Sequence, residues 1–190
     1  MDEKILKLQH KMKKKLDEYR YEHTLGVMYT AAALAMRHGV DMQRALLAGL
    51  LHDCAKCYSD DKKMALCKKY GVHLADIEKK NTALIHARLG AVLAKEKYGV
   101  DDDAVCHAIA SHTTGAPAME PLQQIIFIAD YIEPHRDRAG NLDSIRRAAF
   151  ENMDEACRMI LGDTLKYLKD SPKMVDPMTK ETYDYYMYEL

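Results

Sequence analysis

Tryptophan is absent from this 190-residue chain and phenylalanine occurs only twice, against twelve methionines. A sheet protein fills its pleated faces with aromatic and β-branched side chains, so this shortage favours helices packed through Ala, Leu and Met. No apolar stretch approaches the ~20 residues needed to cross a bilayer, which excludes a membrane-spanning segment. Nor is there an excess of one charge: 28 Lys and Arg stand against 29 Asp and Glu. No global field therefore favours nucleic acid or a membrane surface. The five cysteines are odd in number, and the opening MDEKILKLQHKMKKK carries acids and lacks an apolar signal core. Both features are expected of a cytoplasmic chain with reduced thiols. The expected object is one domain over residues 1–190, large enough for a substantial core.

The periodicity that is present is helical. Ile5, Leu8, Met12 and Leu16 recur at helical spacing with lysines between them, which predicts an amphipathic first helix. A second helix is expected from about Glu22 to Arg37, stopped by Gly39, and a third from its Asp41 cap to Leu51. Ser59 caps a fourth, through about Tyr70. Thr82 to Tyr98 reads as a long fifth helix, Asp101 opens a sixth through Ser111, and Pro121 starts the apolar helix Leu122–Ile132. Residues 141–168 make one or two more. Ser171-Pro172 and Asp176-Pro177 are expected to break the tail, whose Tyr183, Tyr185, Tyr186 and Tyr188 suit docking on the domain or on a second subunit. The fold class is all-α, a bundle of roughly eight helices. Its core is expected at about 18–150, between the N-terminal amphipathic helix and a C-terminal helical extension.

The chemistry gathers at the ends and inner faces of these helices. His52-Asp53 closes the apolar run Ala45–Leu51, and His23, His86, His112 and Asp130 surround that pair in sequence. Asp130 follows Ile125-Ile126-Phe127-Ile128-Ala129, where a lone carboxylate is costly unless paired or bound to a cation. Imidazole with carboxylate suits Fe, Mn, Co, Ni or Zn. His23, His52, Asp53 and Asp130 satisfy one ion; His86 and His112 are what a second would need, with Asp53 as the bridge. Two such ions hold a hydroxide between them and bind phosphoryl oxygens. His10, His38, His73, His107 and His135 read as ordinary hydrogen-bonded histidines. Cys54-Ala55-Lys56-Cys57 lacks a second cysteine pair, so these thiols read as packing residues.

The segments around these residues are specific. They are Arg20-Tyr21-Glu22-His23-Thr24-Leu25-Gly26-Val27, Ala48-Gly49-Leu50-Leu51-His52-Asp53-Cys54-Ala55-Lys56, His86-Ala87-Arg88-Leu89-Gly90-Ala91, Ala110-Ser111-His112-Thr113-Thr114-Gly115, and Ile128-Ala129-Asp130-Tyr131-Ile132-Glu133-Pro134. Over residues 20 to about 150 the chain resembles the HD-domain superfamily of metal-dependent phosphohydrolases. Within it the chain resembles the bacterial symmetrical bis(5'-nucleosyl)-tetraphosphatases, also called diadenosine tetraphosphate hydrolases. That resemblance implies a di-iron centre on His23, His52, Asp53, His86, His112 and Asp130, and cleavage of diadenosine tetraphosphate into two ADP.

Asp53 and Lys56 are then the expected catalytic residues. Lys56, Arg20, Arg88, Thr113, Thr114, Arg136 and Arg138 are the expected substrate contacts, because a tetraphosphate needs several cationic and hydroxyl partners. A different HD-type nucleotide hydrolase, such as a 5'-nucleotidase or cyclic-nucleotide phosphodiesterase, shares the same metal chemistry. A non-catalytic nucleotide-binding protein is the alternative outside enzymes. The resemblance and the apolar tail also point to a homodimer.

Overall fold

The computed structural model describes residues 2–137, 139–169 and 175–189. Among them are eleven α-helices, one 3-10 turn and no strand. The helices are α1 Glu3–Lys13, α2 Glu18–His38, α3 Met42–Leu51, α4 Asp60–Lys69, α5 Asp76–Lys80, α6 Ile85–Tyr98, α7 Asp103–Ser111, α8 Pro121–Ile132, α9 Leu142–Glu151, α10 Met153–Lys169 and α11 Pro177–Tyr188. The all-α class agrees with the sequence reading, but the helix count exceeds eight for local reasons.

The side chains of Asp2, Asp17, Asp41, Ser59, Asp102 and Asp176 each accept an N–H from the first turn of the helix that follows. They satisfy donors that a helix cannot pair internally. The Asp17 cap moves the start of α2 from the expected Glu22 back to Glu18, so His23 lies in the second turn rather than the first. Asp102, not Asp101, caps α7. Leu16 lies beyond α1, in a turn where its N–H donates to the Met12 carbonyl, yet it is buried in the core. Thr82–Leu84 is a separate 3-10 turn ahead of α6. The five-residue α5 is too short to show a period. Asn152 separates α9 from α10, its side chain accepting from the N–H groups of Asp154 and Glu155.

Asp176-Pro177 opens α11 instead of breaking the tail: Asp176 is the cap and Pro177 the first helical residue, where its missing N–H costs nothing. Ser171-Pro172 lies outside the described residues. The tyrosine-rich helix docks on its own domain. Tyr186 is buried and accepts from Gln124 of α8 at 3.1 Å, while Tyr188 stays exposed.

α2, α3, α7 and α8 form the centre of the bundle, with α6 against α7 and α10 against α8. The crossing of α2 and α3 is close because Gly49 has no side chain: a Cβ there would stand 2.8 Å from Met28 Cα. Backbone of α2 fills that space, so a methyl would wedge apart the two helices that carry His23 and His52. No helix among the described residues is long and apolar enough to cross a membrane.

Candidate metal centre

The six metal-competent side chains are delivered from five places in the bundle. His23 comes from α2, His86 from the first turn of α6, and Asp130 from the buried run of α8. His52 and His112 are the C-terminal cap residues of α3 and α7. Asp53 follows His52, just past the negative end of the α3 dipole, where a buried carboxylate needs cations close by.

The rings of His23, His52, His112 and His86 stand in that order in a row, with successive centroids 5.3, 5.0 and 5.0 Å apart. Asp53 lies against all four. Its Oδ1 is 3.5 Å from Nε2 of both His86 and His112; its Oδ2 is 3.5 Å from Nε2 of His52 and 3.9 Å from that of His23. Asp130 Oδ1 closes one end, 3.1 Å from His23 Nε2 and 4.0 Å from His52 Nε2.

One local device aims three of these rings. Nδ1–H of His52, His86 and His112 donates to the carbonyl three residues back, of Gly49, Ala83 and Ile109. His23 uses Glu133, its Nδ1 donating to Oε1 at 3.0 Å. With every Nδ1 bound outward, the four Nε2 lone pairs converge inward, as metal-ligating imidazoles are held.

The arrangement is unfinished without a cation. Nε2 of His23 and His52 and Oδ1 of Asp53 are buried without hydrogen-bond partners, a costly state for native polar atoms. The 3.1 Å His23–Asp130 contact is an attraction of opposite charges when the ring is protonated. His86 and His112 point Nε2 at Nε2 across 3.1 Å, two lone pairs that oppose each other unless a cation or proton lies between. The triads His23/His52/Asp130 and His52/Asp53/His112 are each compact enough to hold an ion.

A family model for the HD domain matches residues 20–135. The chain belongs to the HD-domain family. It is 38% identical to a protein of Halalkalibacterium halodurans named bis(5'-nucleosyl)-tetraphosphatase, symmetrical, over 94% of each chain. A Bacillus subtilis protein of the same name is 38% identical over 92% of each. A crystal structure from Clostridium acetobutylicum, described as a predicted HD superfamily hydrolase involved in NAD metabolism, superposes with a TM-score of 0.93 at 40% identity, covering 97% of each chain. The likeness therefore reaches past residue 150 into the tail, further than the motifs alone carried it. As an HD-domain hydrolase with converging His and Asp side chains, the chain has a site fit to hold divalent metal.

The charges divide this HD site into two halves. Burial, with His112 and Lys56 alongside, pushes His86 down to about 3, so it stays in the neutral, ligating form. Burial also lowers His23, but the Asp130 and Glu133 carboxylates at its two nitrogens outweigh that and raise it. Burial raises Asp53 and Asp130, yet the surrounding imidazoles, with Lys56 for Asp53, hold both well below the usual carboxylate range.

With its pKa raised, the metal-free His23 holds its proton more tightly than an ordinary imidazole and must give it up to ligate. Metal uptake is therefore expected to release protons and to strengthen as pH rises through the His23 pKa. Calorimetric titration in buffers of different ionisation enthalpy measures this. A heat independent of the buffer would contradict it.

Of the other residues expected at the site, Lys56 and Arg136 reach the cluster directly. Lys56 Nζ lies 2.9 Å from Asp53 Oδ2, and Arg136 Nη2 lies 2.8 Å from Asp130 Oδ1. Thr113 Oγ1 is 3.2 Å from Nε2 of both His86 and His112. Thr114 and Arg88 line a neighbouring cleft, where Arg88 pairs with the buried Glu78. Arg20 pairs with Asp17 on the surface, and Arg138 lies outside the described residues. The five cysteines are free, and burial raises Cys54, which argues against a thiolate ligand.

Glu133 went unread in the sequence. Its side chain is 2% exposed and accepts from His23 Nδ1, His135 N–H and His135 Nδ1. The signal was its spacing: three residues after Asp130 it shares that residue's helical face, and the following proline turns its backbone extended to end α8. Gly26 leaves the room it fills, since a Cβ there would strike the Glu133 carboxylate. Glu133→Gln keeps the shape but weakens the acceptor that orients His23. A loss of metal affinity of roughly 10- to 100-fold with helicity retained is expected, read by competition with a chelating dye. Unaltered affinity would remove Glu133 from this role.

Proposed function

We propose that this chain hydrolyses dinucleoside tetraphosphates symmetrically, diadenosine tetraphosphate giving two ADP, at a centre of two divalent ions held by His23, His52, Asp53, His86, His112 and Asp130. The observation that carries the reading is the split of Asp53: Oδ1 faces His86 and His112 while Oδ2 faces His23 and His52. A carboxylate shared in this way suits a bridge between two ions. Iron is the proposed metal, from the family resemblance; the mixed N/O donor set suits Mn, Co, Ni or Zn as well. The relatives' names support the substrate, and the proposed setting is the cytoplasm.

When bound, the ions lower the pKa of water and neutralise charge on the phosphoryl oxygens. One water is consumed. Its oxygen joins one inner phosphorus while the central P–O bond breaks, and the bridging oxygen leaves with the second ADP. The chain's part is positioning and charge. Asp53 fixes the spacing of the two halves and, fully engaged with cations, is a poor base. Lys56, 2.9 Å from Asp53 Oδ2, would offer its ammonium to a non-bridging phosphoryl oxygen beside the carboxylate. Thr113 offers a hydroxyl beside His86 and His112, and Arg136 a planar fork beside Asp130. Arg20, Arg88, Thr114 and Arg138 are proposed to hold the outer parts of the substrate.

Product analysis tests this reading. The iron-loaded protein, incubated with diadenosine tetraphosphate, should give ADP as sole nucleotide product. AMP plus ATP would refute symmetric cleavage. Turnover of nucleoside monophosphates or cyclic nucleotides alone would assign the site to another nucleotide hydrolase, and no turnover with metal bound would make the chain a binding protein.

A further inference from the structure

The row of four imidazoles has a cleft at each end, and the two clefts are chemically unlike. At the His86/His112 end, Thr113 leads into a cavity of about 570 Å³ between α5, α7 and the start of α11, where aliphatic side chains such as Ile77, Leu84 and Met178 alternate with Arg88 and Glu181 and, among the described residues, no tyrosine lines the wall. At the Asp130 end, a cavity of about 560 Å³ opens between the start of α2, the end of α8 and α10. Asp130 and Arg136 form its inner edge, and Tyr19, Tyr131 and Tyr167 line it with Asn141 and Asp163. Tyr131 donates to Asp163 Oδ2 at 3.3 Å, and this half-buried carboxylate lines the cleft.

We infer that this tyrosine-lined cleft binds one nucleobase of the dinucleoside substrate, with the other nucleoside in the more apolar cleft beyond Thr113. The inference rests on the tetraphosphatase reading above and adds to it the residues that grip a base. A phosphate chain lying along the metals would emerge at both ends of the imidazole row, and each end has a cavity of nucleoside size. Aromatic faces stack on any base, because every base has a π-face. Asp163 and Asn141 add acceptors of the kind that an exocyclic amino group on a purine requires. The two halves of a symmetrical substrate thus meet different walls, and the base at the Asp130 end is the one the tyrosines hold.

Tyr19 and Tyr167 are 69% and 61% exposed, so replacing both by Ala leaves the core intact. The test uses the full metal-loaded chain and calorimetric affinity for two probes. One is a methylene-bridged, non-hydrolysable analogue of diadenosine tetraphosphate; the other is inorganic tetraphosphate, which has no base. The double variant Tyr19→Ala/Tyr167→Ala is expected to bind the analogue about tenfold more weakly and inorganic tetraphosphate as tightly as the parent. Unchanged affinity for the analogue overturns the inference. Equal weakening toward both probes overturns it as well, since the tyrosines would then act through the phosphate site or the fold. If the parent chain cleaves no dinucleoside tetraphosphate at all, it is the underlying activity that fails, and the product analysis reports that separately.

Discussion

Asp53→Asn is expected to lower turnover of diadenosine tetraphosphate by about a thousandfold or more, with the helical content retained. Among the described residues no other side chain approaches all four imidazoles: each Asp53 oxygen lies within 3.9 Å of two histidine Nε2 atoms. The amide keeps the volume but loses the charge, and it can offer only one oxygen where two are needed. A bound ion supplies several kcal/mol of transition-state stabilisation, and a tenfold change in rate corresponds to about 1.4 kcal/mol. Losing the pairing of two ions therefore costs at least three powers of ten. Steady-state kinetics with parallel metal analysis and circular dichroism measures this. Near-normal turnover in the folded variant would show that Asp53 is not the bridge.

Lys56→Gln is the second large effect, about a hundredfold in kcat/KM, in the range seen when one preorganised donor to a developing oxyanion is removed. Lys56 sits in the turn after α3, its ammonium 2.9 Å from Asp53 Oδ2 and its side chain 27% exposed. In the metal-free cluster it stands in for a cation beside Asp53. On the proposed two-ion reading metals would engage that carboxylate, and the ammonium would then meet phosphate at the mouth of the site. A transition-state role lowers kcat with a small change in KM; a role in ground-state binding raises KM alone. Loss of metal from Lys56→Gln, with kinetics normal when metal is restored, would reduce Lys56 to a support for Asp53.

How much of this was readable from sequence depends on how far each signal is local. The candidate ligands stood out because polar residues are conspicuous in apolar helices: His52-Asp53 ends one such run and Asp130 interrupts another. Helix ends with a strong cap, at Asp41 and Ser59, fell where expected. Ends set by less obvious partners moved, as at Asp17, where an exposed acid five residues before the expected start caps α2. The five-residue α5 is too short to show a period, and the Asp176-Pro177 pair reads equally as a break or a start. Glu133 escaped because its role depends on His23, 110 residues earlier in the chain, and on the space Gly26 leaves for it. The tyrosine cleft is likewise built from α2, α8 and α10. Tyr19 and Tyr167 share no local pattern, and only the tertiary fold brings them together.

The central claim is that Asp53 divides the cluster between two ions, and counting metal per chain tests it most directly. Metal analysis of the loaded parent and of His86→Ala is predicted to give two ions and about one, because His86 serves only the half built on His112 and Asp53 Oδ1. One ion in both proteins would contradict the account.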